Sequence, residues 1–239
     1  MVAKGITAEA VKKHICKFII VYLGIFIAAI GVSSILVANV GGDPITIFTD
    51  GLAYVSGQPY WVMSIISNST FFVLALIFAR HHVFIGTLMH ALFMGMNISF
   101  IRPILEGWME KIGHSWWADL LFFAVGLLLL GIGVGIQLSA RYGVTGVDAL
   151  VSKVSEKART QYRFIRIIFD ALFVLIGWLL GGVVGYGSIV SFVLNGPIIQ
   201  ATAKFVNKHF LIKIGLGDER NLFLKDKDKQ EPAVQSVGD

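Results

Sequence analysis

Six stretches of the sequence are long and apolar enough to cross a lipid bilayer as helices. A transmembrane helix needs about 20 consecutive apolar residues, and the stretches lie at roughly 18–40, 59–79, 83–101, 116–140, 164–184 and 186–203. The 239-residue chain is 56% hydrophobic and only 15% charged, whereas soluble domains average about 25% charged residues. These properties exclude the soluble globular, disordered and disulfide-framework classes. We predict an all-α, polytopic integral membrane protein with six transmembrane helices.

The positions of the basic residues predict the orientation. Of the 20 Lys and Arg residues, 18 lie in four regions: before the first stretch, after the sixth, between the second and third, and between the fourth and fifth, counting the edge of the fifth. The two exceptions are Arg102 and Lys111. Basic loops stay on the cytoplasmic side of a membrane. We therefore expect both termini in the cytoplasm. The net charge of +5 is explained by topology, and we expect no nucleic-acid partner.

The chain repeats itself when it is shifted by about 102 residues. The matching pairs are Gly24 with Gly126, Gly31 with Gly133, Gly41 with Gly143, Tyr60 with Tyr162, Ile65 with Ile167, and, at a shift of 101, Gly86-Thr87 with Gly187-Ser188 and Gly95 with Gly196. Each half holds three predicted spans, so the halves must cross the bilayer in opposite directions. Such inverted repeats are typical of secondary transporters, although a duplicated scaffold without transport is the alternative.

This pattern divides the chain into five segments. We predict a cytoplasmic N-terminal segment over 1–17, repeats over 18–101 and 116–203, an outer interfacial segment over 102–115, and a cytoplasmic C-terminal helix with a disordered tail over 204–239. The outer segment mixes Trp108 with Glu106 and Lys111, which is typical of a helix at the membrane surface.

Each repeat has an unusual connection after its first span. Residues 41–58 and 143–162 each start with a Gly-containing turn and continue into a helix-like stretch too short to span. Asp43 before Pro44 predicts an N-cap with proline at the first helical position, and Thr145 is expected to cap the second helix. These segments are either half-helices that dip into the membrane, with their partly positive N-termini inside, or helices lying on its surface.

Polar residues within spans are candidate substrate-binding residues, because ionisable groups are costly in a bilayer and mark functional sites. Asp170 lies in the fifth span, and its repeat partner is Asn68. Thr46 and Asp148 occupy equivalent positions in the two connections. An ion pair of Asp170 with Arg166 four residues earlier is the purely structural alternative.

Spans three and six carry further polar side chains. His90 and Asn195 are the candidate binding residues there, although small and polar residues on one helix face more often serve helix packing. No second histidine or cysteine stands at ligand spacing from His90, and the motifs of soluble catalysis are missing from the sequence. We therefore predict no enzyme activity, no metal and no cofactor.

The repeated pattern of small residues around the first connection resembles the bacterial YitT/YczE/YyaS-like membrane protein family. The residues that carry the resemblance, over about 18–203, are Ala38, Gly41 and Pro44, then Ala140, Gly143, Gly146 and Asp148, with Gly86-Thr87 and Gly187-Ser188. Pro44 is replaced by Gly146 in the second copy, and Thr46 by Asp148. The resemblance implies a bacterial inner-membrane fold and little about chemistry.

Together these features favour a small secondary transporter or permease that alternates access between two inverted repeats. Its substrate, a small molecule or an ion, is open. The alternatives are a membrane scaffold or accessory subunit that does not transport, and the substrate-binding membrane component of a multi-subunit importer. The expected partners are the lipid bilayer and, at 26.2 kDa, a second copy of the chain in a homodimer.

Overall fold

The computed structural model of the protein describes residues 8–212 and residue 216, and in this part of the chain every regular element is helical. Eight α-helices follow one another: α1 (Ala8–Ala38), α2 (Pro44–Ser56), α3 (Tyr60–Phe78), α4 (Ile85–Ile112), α5 (Trp116–Ser139), α6 (Gly146–Ala158), α7 (Tyr162–Leu179) and α8 (Tyr186–Val206). A 3-10 turn at Arg80–His82 joins α3 to α4, and a π-helical turn at Asn207–Leu211 follows α8. The predicted C-terminal tail lies outside the described residues.

Within the described residues, five helices are long and apolar enough to cross a membrane. These are the segments Val11–Ala38, Tyr60–Phe78, Ile85–Ile112, Trp116–Ser139 and Tyr186–Leu211. The chain is therefore an all-helical protein of membrane type, as its composition predicts. The remaining predicted span, 164–184, coincides with α7, an 18-residue helix that contains Arg163, Arg166 and Asp170. Because α7 has only 18 residues, it offers no 18-residue stretch with two or fewer charges, whereas each of the other five helices does.

The structure differs from the sequence prediction at the two ends of the first repeat. Helix α1 begins at Ala8 and so extends back into the segment predicted as a separate N-terminal region. Helix α4 runs without interruption to Ile112, through Pro103, so residues 102–112 continue a long helix and form no separate interfacial one. An Arg102–Glu106 ion pair at 2.7 Å bridges one turn of this extension, and such pairs stabilise a helix locally.

Helices α1 and α5 cross at the centre of the main hydrophobic core. A Cβ atom at Gly31 would lie 2.3 Å from the Leu130 backbone nitrogen, and one at Gly133 would lie 2.3 Å from the Ala28 backbone nitrogen. Only glycine allows the two backbones to come this close. Helix α4 packs on α1, and α8 packs on α5, so that each outer helix flanks one member of the central pair.

The short helices α2 and α6 each have 13 residues and pack against the long helices. Helix α6 begins with Gly146 against the backbone of Phe71, in the middle of α3, and its Glu156 reaches His82 just beyond the end of α3. Helix α2 packs in the same way along α7, with Phe48 next to Phe173 and Tyr54 next to Gly181. Each short helix therefore starts beside the middle of a longer one.

The caps of the short helices agree with the sequence prediction. Asp43 is the N-cap of α2, with Pro44 at the first helical position. Thr145 is the N-cap of α6, and its hydroxyl accepts a hydrogen bond from the Asp148 backbone nitrogen at 3.1 Å. The turns before both helices are held by matching hydrogen bonds, from Gly187 N–H to the Val40 carbonyl (3.0 Å) and from Gly86 N–H to the Tyr142 carbonyl (2.9 Å).

Candidate functional site

A network of charged side chains lies where α6 packs against α7. Arg166 donates hydrogen bonds to the carboxylates of Asp148 and Asp170, the second at 3.1 Å. Tyr162 donates to the same Asp148 oxygen as Arg166, at 2.8 Å. The three charged side chains are mostly buried, with exposed fractions of 28% for Arg166, 26% for Asp148 and 14% for Asp170. Arg166 therefore bridges two acids from two different helices.

The local structure of α6 positions Asp148. Its second carboxylate oxygen accepts a hydrogen bond from the Thr145 hydroxyl at 2.8 Å, while its backbone nitrogen donates to that same hydroxyl. This reciprocal arrangement satisfies the first turn of a helix. A carboxylate near a helix N-terminus is also stabilised by the helix dipole. Asp148 is thus held by its own helix and by α7.

A third acid lies at the N-terminus of α2. Asp43 accepts a hydrogen bond from the hydroxyl of Thr46, which is buried. The Asp43 carboxylate lies within electrostatic range of Arg166 and Asp170. Two carboxylates therefore contact one guanidinium and a third lies within electrostatic range of it, which gives an excess of negative charge and of hydrogen-bond acceptors. The other Asp170 oxygen, Oδ1, is buried and accepts no hydrogen bond, although it lies 3.1 Å from Arg166 Nε.

The first half of the chain has a neutral counterpart of this network. Asn68 donates to the Ser64 carbonyl at 2.8 Å, with the same four-residue spacing as Arg166 and Asp170. Tyr60 lies close to Thr46, at the position equivalent to that of Tyr162, which donates a hydrogen bond to Asp148. Asn68 is therefore placed on a corresponding helix, but it contacts none of the three acids through a hydrogen bond.

Thr46 also lines a small cavity of about 60 Å³ together with Asn39, Asp50 and Arg102. A cavity of this size holds a few water molecules. Its lining includes Thr46 at the buried start of α2 and Arg102 in the part of α4 that extends beyond the predicted end of that helix. Thr46 is thus a predicted binding residue that lines a cavity.

His90 and Asn195 belong to different surroundings. The Nδ1 atom of His90 lies 3.0 Å from the Gln137 side-chain oxygen on α5, and both residues are buried. Asn195 faces Gly131 of α5, and its side-chain oxygen is buried without a partner. The structure therefore brings Asp148 and Asp170 together and keeps His90 and Asn195 at helix–helix contacts. In the part of the chain described, no three His, Cys, Asp or Glu side chains form a group that could hold a metal ion.

Sequence reasoning missed two members of the network. The sequence pattern indicates Arg166 only as an ion-pair partner of Asp170, and it indicates Asp43 only as a helix cap. The contact from Arg166 to Asp148 joins residues 18 positions apart, which no helical spacing indicates. The internal repeat is the signal that could have pointed to this contact. Asp43 and Thr46 of the first half correspond to Thr145 and Asp148 of the second, so the acid and the hydroxyl exchange places.

Comparison with known proteins identifies the family. Residues 15–204 match a family of unknown function (DUF6198). The chain belongs to this family. Among similar proteins, the uncharacterized protein YyaS of Bacillus subtilis is 23% identical over 197 residues, covering 82% of this chain and 97% of the relative. The uncharacterized membrane protein YczE of the same species is 27% identical over 180 residues, covering 75% of this chain and 81% of the relative.

A third relative comes from Haemophilus influenzae. This uncharacterized protein is 25% identical over 186 residues, covering 76% of the chain and 80% of the relative. No solved structure matches the chain. The resemblance to YczE and YyaS that the sequence motifs indicate is thereby confirmed, and the relatives supply a membrane assignment without an activity.

Proposed function

We propose that the protein is a small secondary transporter of the bacterial inner membrane that alternates access between two inverted three-helix repeats. In this proposal α7 is the sixth span, both termini are cytoplasmic, and α2 and α6 are half-helices inside the membrane. We propose that the protein lies in the lipid bilayer and assembles as a homodimer. The protein is proposed to have no enzymatic role.

The packing of the helices supports the inverted repeat. The glycines at the α1–α5 crossing form two equivalent contacts, Gly24 with Gly133 and Gly126 with Gly31. The packing of α2 on α7 corresponds to that of α6 on α3, and α1 with α4 corresponds to α5 with α8. A framework built of corresponding contacts is what two inverted repeats around one pseudo-two-fold axis require.

One break in this correspondence carries the transport proposal. We call Trp61, Ile65 and Gly95 the α3–α4 seam, and Arg163, Ile167 and Gly196 the α7–α8 seam. A Cβ at Gly95 would lie 2.6 Å from both the Trp61 carbonyl and the Ile65 side chain, whereas one at Gly196 would have nothing within 4 Å. One seam is therefore closed and the other open.

Exchange of the two seams would produce a second state of the same molecule. The repeats have equivalent glycines, so α7 can pack on α8 in the way that α3 packs on α4. Alternating access in transporters with inverted repeats arises from such movements of one repeat against the other. Asp170 lies three residues after Ile167, on the same side of α7, so the open seam runs beside the charged network.

The chemistry of the network favours a substrate or coupling ion that is positively charged or donates hydrogen bonds. The N-termini of α2 and α6 already carry Asp43 and Asp148, so they offer little to an anionic substrate. The buried Asp170 Oδ1 accepts no hydrogen bond, even though it lies beside Arg166, so it can take up a proton or accept a hydrogen bond from another donor. Asp170 is therefore the proposed coupling residue, next to its counter-charge Arg166.

The test combines a ligand screen with an uptake assay. Purified protein is screened by thermal shift, because a ligand that binds the native state raises its melting temperature. A hit is then used in uptake by proteoliposomes. We expect Asp170→Asn to abolish uptake while insertion and folding survive. The matched control, Asp119→Asn, changes an acid at the start of α5 that bonds only to His114 at 2.8 Å among the described contacts, and it should keep full uptake.

Two results would count against the proposal. Full uptake by Asp170→Asn contradicts the coupling role of that residue. A blank screen over a broad library of small molecules and ions, with well-folded protein, contradicts transport and favours the scaffold or accessory subunit.

A further inference from the structure

A pocket lies where α3 ends against α6, away from the charged network. It has a volume of about 210 Å³, and its polar lining consists of Arg80, His81, His82, Lys153 and Glu156. Glu156 is the one acid of this lining, and it lies 3.2 Å from the His82 ring. Among the described residues, no hydrogen bond or ion pair engages the side chain of Arg80 or Lys153. Two permanent cations therefore line the pocket without an ion-pair partner, against the single acid Glu156.

The pocket lies at the boundary of a membrane segment. The candidate span Tyr60–Phe78 ends two residues before Arg80. Ile77 and Phe78 form the apolar side of the pocket and are 64% and 63% exposed. An apolar surface directly next to a cationic cavity matches a molecule with a negative head and a hydrocarbon tail.

We infer that this pocket binds the phosphate headgroup of an anionic phospholipid, with the acyl chains lying along Ile77 and Phe78. Its volume is below the roughly 300–1,000 Å³ of drug-sized sites, which suits a headgroup rather than a large solute. Basic pockets between membrane helices on the cytoplasmic side bind anionic headgroups in this way.

The side of the membrane is consistent with this occupant. Lys153 and Arg80 lie on the face whose loops carry the excess of basic residues, which the positive-inside rule assigns to the cytoplasm. The cytoplasmic leaflet supplies anionic lipids, and each nearby Lys or Arg strengthens their attraction. The inference depends on this membrane placement and is independent of whether the protein transports a substrate.

The test measures lipid binding to the purified full chain in neutral detergent, by native mass spectrometry and by thermal shift. The probes are phosphatidylglycerol, phosphatidylcholine and inorganic phosphate. We expect phosphatidylglycerol alone to bind and to raise the melting temperature. Combining Arg80→Gln with Lys153→Gln should weaken this binding about 30-fold, since each charge contributes roughly fivefold at a membrane surface.

Matched variants separate the pocket from general charge. Lys157→Gln combined with Arg163→Gln removes two exposed basic residues outside the pocket and should leave binding within about twofold, a change of roughly 0.4 kcal/mol. Lys153→Arg keeps the charge and should bind as the native chain does.

Three results would overturn the inference. The first is unchanged phosphatidylglycerol binding by the variant lacking Arg80 and Lys153. The second is equal binding of phosphatidylcholine, which would show that charge is irrelevant. The third is full competition by inorganic phosphate, which would indicate a site for a free anion and not for a lipid.

Discussion

At the first turn of the short helices, the two halves of the chain place an acid and a hydroxyl in opposite order. Asp43 accepts from Thr46 in α2, and Asp148 accepts from Thr145 in α6. The spacing of three residues is kept, and each acid lies near a helix N-terminus, where the helix dipole stabilises it. Only Thr145 also caps its helix by accepting a backbone hydrogen bond. Asp43 precedes the first residue of α2, whereas Asp148 lies in the first turn of α6, where it forms a hydrogen bond with Arg166. This reversal creates the charged network on one side of an otherwise repeated framework.

The importance of Arg166 to this network gives a prediction. Arg166→Gln should lower the free energy of unfolding by about 2–4 kcal/mol, because removing one partner of a buried ion pair leaves the remaining charges uncompensated. Arg163→Gln, on the same helix and exposed, should change it by less than about 0.5 kcal/mol. Unfolding in mixed micelles measures both, and equal stability of the two variants would show that the network contributes nothing to folding.

Adding Asp148→Asn to Arg166→Gln should recover part of the lost stability, because the second substitution removes one of the charges left unpaired. A double variant that is less stable than Arg166→Gln alone would contradict this explanation of the loss.

At the scale of elements, the apolar stretches and cap residues predicted more of the structure than the polar pattern did. Five of the six predicted spans coincide with helices long and apolar enough to cross a membrane, and the sixth coincides with α7. Asp43 and Thr145 cap the two short helices, as predicted. These features depend on local sequence, where hydrophobic length and capping act directly. The extension of α4 through Pro103 was missed, because a proline and nearby charges normally indicate an end.

The candidate site was less predictable for a physical reason. Asp170 and Asp148 could be selected from the sequence because acids are expensive within spans. Their shared contact with Arg166 depends on how α6 packs on α7, which no local spacing encodes. His90 and Asn195 were selected on the same polar criterion, but the structure places them against α5. Whether they bind a substrate stays a prediction.

The α1–α5 crossing gives a second prediction. Gly31→Ala should lower the free energy of unfolding by about 1–3 kcal/mol, because the new methyl group collides with the Leu130 and Gly126 backbones at 2.3 and 2.6 Å. Gly107→Ala is the control. It is a helical glycine with nothing within 4 Å of its added Cβ, and alanine favours helix by up to about 1 kcal/mol. Unfolding of both variants under the same conditions measures the difference.

Tolerance of Gly31→Ala to the same degree as Gly107→Ala would contradict close packing of α1 on α5. It would also remove the main contact on which the proposed pseudo-two-fold axis depends.

At the scale of the whole molecule, the fold combines a tightly packed centre with one unequal pair of seams. The α1–α5 crossing fixes the centre, while α8 contacts α5 and leaves many apolar side chains exposed, among them Ile189 and Val193 at 71% and 60%. Exposed apolar surface of this kind suits lipid contact. In the proposed transport cycle, a rigid centre with one closed and one open seam would allow the two repeats to exchange their conformations.

The most direct test of this account measures both seams in the same membranes. Spin labels at Ile66 and Leu92 report on α3 and α4, and labels at the equivalent Ile168 and Val193 report on α7 and α8. All four side chains are exposed, and Cys16, the single cysteine, is replaced by serine. We predict two distances for each pair in liposomes. When ligand makes the short distance of one pair more populated, the long distance of the other pair should become more populated to the same degree.

A variant makes the result decisive. Gly196→Leu fits the open seam, where an added Cβ meets nothing, but it blocks closure of α7 on α8. We predict that in this variant each labelled pair shows one distance, the one in the structure. That distance is short for Ile66–Leu92 and long for Ile168–Val193. One fixed distance in each pair of the otherwise native chain, unchanged by Gly196→Leu, would contradict alternating access between the repeats.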